Sequence, residues 1–292
     1  MRSRSRTCCS PVLLRRRAVV GAGLGLAAAL LLASSGGSAP RAATLIAVGD
    51  IASCSSDGDE QTAALVSRLP GPIAVLGDIA YDNGTAADFA NCFDPSWGRF
   101  VPRIRAALGN HEYSSGTAAV AIDRFKLPTS GWYSYALGAW RVIVLNSNCS
   151  NIGGCERGSP QWQWLQADLA SHRNRCTLAY WHHPRFSSGF HGSSVEYAPF
   201  WDLLARAKAD VVLQGHDHHY ERFAPIKGIR SFVVGTGGKS RYPTLLPRPG
   251  SIVRNSTTYG VLRLNLRPAG YDWRFLPVKG SSFSDAGTAR CR

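Results

Sequence analysis

Five short polar clusters carry the residues best suited to chemistry. They are Gly49-Asp50, GDIAY at 77–81, GNHE at 109–112, His182-His183-Pro184 and GHDHH at 215–219. Each closes an apolar run: TLIAV, PIAVL, RIRAAL, TLAYW and ADVVLQ. Carboxylate, phenol, amide and imidazole are the oxygen and nitrogen donors that hold metal ions. Taken as one centre, Asp50, Asp78, Tyr81, Asn110, His182, His216 and His218 offer more donors than one ion needs, which is about four to six. The set suits a pair of ions sharing one carboxylate. Asp78, on a central run between the others, is the natural bridge. Paired ions stabilise both the attacking and the leaving oxygen of a phosphoryl displacement.

Charge separates the metals. Asp50, Asp78 and an ionised Tyr81 supply three negative charges. Two divalent ions with a hydroxide cancel them, whereas a trivalent–divalent pair keeps one positive charge that attracts a phosphate dianion. Phenolate is a hard anionic donor, which favours ferric iron. Taken singly, each residue has a blander reading. An Asp or Asn beside Gly is commonly a turn residue, a lone Tyr a half-buried aromatic, and a lone His a surface or satisfied core residue. The order and spacing of all seven argue for the set. Without cations such a cluster of Asp and His would be poorly satisfied.

Short apolar runs bounded by Gly or Pro read as buried strands, so the clusters sit at strand ends, where open α/β sheets bind ligands. Helices are expected over 59–69, over 160–171 behind a Ser159-Pro160 start, and over 197–208. Hairpins are expected over 132–147, turning at Leu137-Gly138, and over 259–277, turning near Pro268–Gly270. Alternating strands and helices followed by hairpins imply an α/β fold of layered sheets flanked by helices.

These residues resemble the calcineurin-like metallophosphoesterases and, more narrowly, the purple acid phosphatases. The pattern of Asp, GDxxY, GNH[DE], His and GHxH is met by Asp50, GDIAY, GNHE, His182 and GHDH. The resemblance spans residues 50–218. It implies an α/β/β/α sandwich of two mixed sheets, with the dinuclear site at strand carboxyl ends. It also implies that Asp50, Tyr81 and His218 hold iron(III). Asn110, His182 and His216 would then hold a divalent ion (Fe, Zn or Mn), with Asp78 between. The run through Glu221-Arg222 is similar to plant-type members. The β-sandwich that precedes the catalytic domain in many of those is not expected here, because the stretch between the leader and Asp50 is too short to hold it.

His111, directly after a ligand position, is the first candidate to bind phosphate and protonate the leaving alkoxide. His191, in the loop FSSGFHGSS, is the second. His183 is a candidate outer neighbour of the centre, and Arg185, His219, Tyr220 and Arg222 are candidates for its rim. The expected activity is hydrolysis of a small phosphate monoester by metal-bound hydroxide. The alternatives are a phosphodiesterase or nucleotidase, or a non-catalytic phosphate- or wall-binding protein.

The 292-residue chain opens with a basic start (Arg2 to Arg17), the apolar stretch 18–33 and small residues to Ala39. That is the layout of an export signal over 1–39, with Arg15-Arg16-Arg17 resembling a twin-arginine motif. An uncleaved anchor is the alternative, although the stretch is shorter than the about 20 residues of a span. A single catalytic domain is expected over 40–292, with no stable membrane span after cleavage and an extracytoplasmic or cell-envelope location. Removing the leader's six arginines, with no acid lost, takes the formal net charge from +14 to +8. No basic stripe with interleaved aromatics points to nucleic acid. Cys54, Cys92, Cys149, Cys155, Cys176 and Cys291 read as disulfides of an exported protein. Cys149–Cys155 encloses a Gly-rich loop; Cys54–Cys92 and Cys176–Cys291 are the expected remainder, with other connectivities open.

Overall fold

Apolar side chains alternate along the strands and divide between two faces, which fixes the layers of the fold. The computed structural model describes residues 18, 42–172 and 176–292. The expected export signal therefore falls, but for Ala18, outside the described residues.

In chain order the strands are β1 Ala43–Val48, β2 Ile73–Leu76, β3 Ile104–Ala107, β4 Tyr133–Leu137, β5 Trp140–Val144, β6 Cys176–Tyr180 and β7 Val211–Gln214. They continue with β8 Tyr220–Phe223, β9 Arg230–Val234, β10 Ser251–Asn255, β11 Gly260–Arg267, β12 Gly270–Pro277 and β13 Ala286–Arg290. One sheet has the order β13-β12-β11-β1-β2-β3, the other β10-β8-β9-β7-β6-β5-β4. Both are mixed. β1, β2 and β3 run parallel while β11 joins β1 antiparallel. In the second sheet β5, β6, β7 and β9 are parallel, and β4, β8 and β10 add antiparallel pairs.

Leu45 and Ala47 of β1 face the core between the sheets, with Trp140, Val142, Leu178, Leu213 and Phe232 from the other side. Ile46 and Val48, one residue out of phase, face an outer layer with Ala63, Val66, Phe93 and Trp97. Ile143, Ala179 and Val212 face the opposite layer, where Trp162, Leu165, Phe200 and Leu204 pack. The result is the α/β/β/α sandwich that the motifs imply.

Local chemistry sets the element ends. Ser159 caps the helix Pro160–Ser171 by accepting from the Trp162 N–H, and Pro160 takes the first-turn position that needs no donor. The helix expected over 59–69 is Gly58–Val66. Pro70 disfavours helical geometry at Leu69, and Gly71 turns the chain with φ 98°. The third expected helix is Ala198–Arg206, ended by Lys208 in the left-handed region. Both expected hairpins form, as β4–β5 and β11–β12.

The expected disulfides Cys54–Cys92, Cys149–Cys155 and Cys176–Cys291 are all present. Cys176–Cys291 ties the start of β6 to the chain end after β13, bridging the two sheets over 115 residues of sequence. Closing so long a loop restrains the unfolded chain by up to about 4–5 kcal/mol. Replacing both cysteines by Ala should lower the free energy of unfolding by that order in denaturant titration. A titration unchanged from that of the parent protein would show that the bridge adds nothing.

Candidate metal centre

The site lies where the carboxyl ends of both sheets meet. Asp50 follows β1, Asp78 follows β2, Asn110 follows β3, His182 follows β6 and His216 follows β7. The edges are stitched by Gly49 N–H to the Val234 carbonyl (2.9 Å) and Gly237 N–H to the Gly49 carbonyl (2.9 Å). Asp50, Asp78 and His216 have φ of 61°, 50° and 70°. This left-handed geometry costs a non-glycine residue on the order of 1–3 kcal/mol and gathers at functional sites. It is held in part by the carboxylates themselves. Asp50 accepts from the His216 N–H (2.9 Å) and Asp78 from the His111 N–H (3.0 Å).

The glycines of the motifs follow from the same crowding. A Cβ on Gly215 would lie 2.7 Å from Asp50 Oδ2, one on Gly77 2.6 Å from His182 Nδ1, and one on Gly109 would strike the Asp78 carboxylate. Backbone must approach the acids this closely for the donors to converge.

All seven expected ligand residues come together, in two overlapping groups. Tyr81 Oη lies 3.1 Å from Asp50 Oδ1, 3.1 Å from Asp78 Oδ2 and 3.3 Å from His218 Nε2. His182 Nε2 lies 3.1 Å from the same Asp78 oxygen, 3.2 Å from Asn110 Oδ1 and 3.1 Å from His216 Nδ1. One oxygen, Asp78 Oδ2, therefore belongs to both groups. Outer partners aim the rings: His182 Nδ1–H donates to the Leu76 carbonyl (2.8 Å), and His218 Nδ1 meets Ser240 Oγ at 2.7 Å. Fixing one ring nitrogen leaves the other free to ligate.

Carboxylate, amide oxygen and imidazole lone pairs thus face one another in a buried space, and their chemistry fits a pair of cations. The protonation balance has the same cause. Burial works to raise Asp78, but His182, then His111 and His216, hold it well below the usual carboxylate range. Burial opposes charge on His182, yet Asp78 pushes it up to about 9, so that a proton fills the place of a cation. Burial, with Asp50 and Asp78 beside it, pushes the Tyr81 phenol far up. It can ionise here only against strong positive charge.

His111 packs on Tyr81 with ring centroids 4.4 Å apart, and its Nε2 lies 3.8 Å from Asp78 Oδ2. Its Nδ1 faces the Asp82 carbonyl, an acceptor only, so Nδ1 carries the hydrogen and Nε2 looks into the site. His191 reaches the other group, 4.2 Å from the His216 ring. His183 packs beside His182 and His216, with Nδ1 bound to Ser147 Oγ (2.8 Å). A polar cavity of about 400 Å³ opens beside Asn110 and His183, between Asn148, Glu196 and Tyr197.

Of the residues expected at the rim, His219 and Tyr220 are interior and Arg222 is half-buried. His219 is fully buried against Glu221 (3.2 Å), and Tyr220 and Arg222 both bind Asp285. Arg185, over the Phe186 ring, stays on the loop. Cys176, Asp210 and Cys291 also cluster, but their sulfurs are joined as a disulfide and offer no thiolate.

Sequence reasoning missed several supports. Glu112 is fully buried and accepts from the backbone N–H groups of Asp78 (3.0 Å), Ile79 (2.8 Å) and Gly109 (2.8 Å). It clamps two ligand loops together. Burial, then the Asp78 charge, pushes it up to about 7. Asp217 accepts from Ser187 Oγ (2.5 Å) and the His191 N–H (2.9 Å), placing the His191 loop. Tyr242 stacks on His218 at 4.7 Å and donates to the His216 carbonyl. Glu112 and Asp217 were visible inside GNHE and GHDH; Tyr242 has no pattern to mark it.

The profile of the calcineurin-like phosphoesterases matches residues 43–220. The chain is 30% identical over 201 residues to an uncharacterized protein of Mycobacterium tuberculosis, covering 58% of this chain and 37% of that one. It is 28% identical over 189 residues to Fe(3+)-Zn(2+) purple acid phosphatase 12 of Arabidopsis thaliana, covering 56% and 39%. The chain thus spans well under half the length of these relatives. A purple acid phosphatase from yellow lupin superposes with a TM-score of 0.75 at 19% identity, over 85% of this chain and 53% of that one, which establishes the shared fold.

Glu112→Gln should expose the clamp's role. A glutamine offers one acceptor oxygen, so at least one buried N–H loses its partner. A loss of about 1–3 kcal/mol in unfolding free energy is expected by denaturant titration. An unchanged stability would mean that the clamp is dispensable.

Proposed function

Because the chain belongs to the calcineurin-like phosphoesterase family, we propose that it is a secreted dinuclear-metal phosphatase acting on small phosphate monoesters. The observation that carries this reading is the single Asp78 oxygen shared between two donor groups. Asp50, Tyr81 and His218 would hold one ion, and Asn110, His182 and His216 the other, with Asp78 between. Bound there, the ions supply positive charge against the phosphoryl oxygens and activate the attacking water.

The chain's own groups do the rest. His111 Nδ1–H is committed to the Asp82 carbonyl, so Nε2 is the atom aimed into the site, and a second proton carried there would pass to the departing alkoxide and leave the ring neutral. His191, its backbone fixed by Asp217, would orient the phosphate on the His216 side. The cavity beside Asn110 offers the organic group of the ester a polar berth. Tyr81 supports iron(III) as one ion, with Fe, Zn or Mn as its divalent partner. A buried phenol between two carboxylates needs a highly charged cation to ionise. The name of the Arabidopsis relative points the same way. Three disulfides and the basic, apolar leader support an extracytoplasmic location.

Purified protein should release phosphate from a simple aryl phosphate. Asp78→Ala should lower kcat by roughly a thousandfold or more, the scale of several kcal/mol supplied by the ions. Undiminished activity would overturn the proposal, and a higher kcat/KM for a diester would favour a phosphodiesterase instead. The iron reading has its own test. The protein should absorb visible light through a ferric–phenolate transition that Tyr81→Phe removes; colourless, active protein holding only divalent ions would reject iron alone.

A further inference from the structure

The large apolar side chains most exposed among the described residues are Phe190 (71%), Val195, Leu245, Leu246 (87%) and Ile252. They come from the loop that carries His191, from the turn 243–250 and from the adjoining β10. Phe190, Leu245 and Leu246 are brought side by side, because the 188–190 loop is bonded to the turn, and exposed apolar residues gathered in this way mark an interaction surface. The patch adjoins the metal centre. Phe190 packs on His191 at 5.4 Å and on Tyr242 at 6.3 Å, and Tyr242 in turn stacks on His218.

The exposure is built into the structure. Leu245 N–H donates to the Ser188 carbonyl (2.7 Å) and Arg248 N–H to Ser188 Oγ (2.9 Å). Ser188 is itself anchored by N–H and hydroxyl bonds to the buried carboxylate of Glu221 (2.7 and 2.6 Å). Pro247 stiffens the turn between these anchors, and Pro243 and Pro249 stiffen its two sides. A cleft of about 540 Å³ runs along it, lined by Ser188, Gly189 and Leu245–Pro249.

Charge identifies the occupant. From Arg222 to Tyr271 the chain contains no Asp or Glu, and Arg241, Arg248 and Arg254 flank the leucines. Arg241 and Arg254 donate to the Thr257 carbonyl and the Ser251 hydroxyl, and Arg254 has the buried Glu221 opposite it in the sheet, which leaves Arg241 and Arg248 without an acid partner among the described residues. Glu196, the acid of the facing loop, lines the cavity beside Asn110 instead. A second copy of the chain would set these arginines against themselves across a two-fold contact. An anionic polymer would use the cations but leave Leu245 and Leu246 in water. Anionic lipid satisfies both features, because headgroups meet the arginines while leucines enter the acyl boundary.

We propose that this basic, apolar rim docks on an anionic lipid surface and holds the mouth of the metal centre against it. Sedimentation of the folded protein with phosphatidylcholine vesicles, with and without phosphatidylglycerol, tests the proposal without requiring catalysis. Its failure is thus distinct from failure of the phosphatase reading. Binding should appear with phosphatidylglycerol and weaken as salt is raised. It should fall about tenfold or more in Leu245→Ser/Leu246→Ser and in Arg248→Glu. Both variants should keep wild-type hydrolysis of a soluble aryl phosphate and wild-type melting. Binding that ignores lipid charge or the leucine substitutions would overturn the proposal, as would a solution dimer that the leucine substitutions dissociate.

Discussion

The carboxylate of Asp78 is the point through which the two halves of the site are tied. One of its oxygens lies within hydrogen-bonding distance of both Tyr81 and His182, and each of those leads to a separate set of donors. Nothing in a protein interior rewards such an arrangement by itself. Burying carboxylates, a phenol and imidazole lone pairs together is costly unless positive charge joins them. A proton on His182 relieves part of that cost, and Tyr81 keeps its own proton for the same reason. Two cations relieve it fully, and they give Tyr81 a reason to ionise.

The surrounding fold is arranged around that need. Five strand ends from two sheets bring donors to one place, and three of those donor residues sit in left-handed backbone geometry to turn inward. Gly77, Gly109 and Gly215 let the loops close to distances that any side chain would prevent. Glu112 binds the loop after β2 to the loop after β3 through three N–H groups. Loss of any of these contacts would misplace an atom that the ions require, although neither Glu112 nor the three glycines supply a ligand themselves.

Much of this was legible in the chain. The apolar runs marked the strands because burial on both faces leaves no polar alternation, and Ser159-Pro160 marked a helix start by its capping chemistry. The clusters gave the donor set because metal-binding side chains at strand ends are rare in combination. Other features were not legible. The ends of the helices near Val66 and Arg206 depend on proline and left-handed turns just beyond them. His219, Tyr220 and Arg222 read as rim residues because they follow the ligand motif, yet His219 turns inward to Glu221 and strand β8 carries Tyr220 and Arg222 to Asp285. Tyr242 reaches the site from a segment far along the chain, and no local pattern announces such a contact.

The central claim is that the donor set exists to hold two ions through one shared carboxylate. Elemental mass spectrometry of the folded protein, purified without chelators, addresses it most directly. Two ions per chain, one of them iron, is the result this account predicts. A folded, active protein carrying no stoichiometric metal would contradict it.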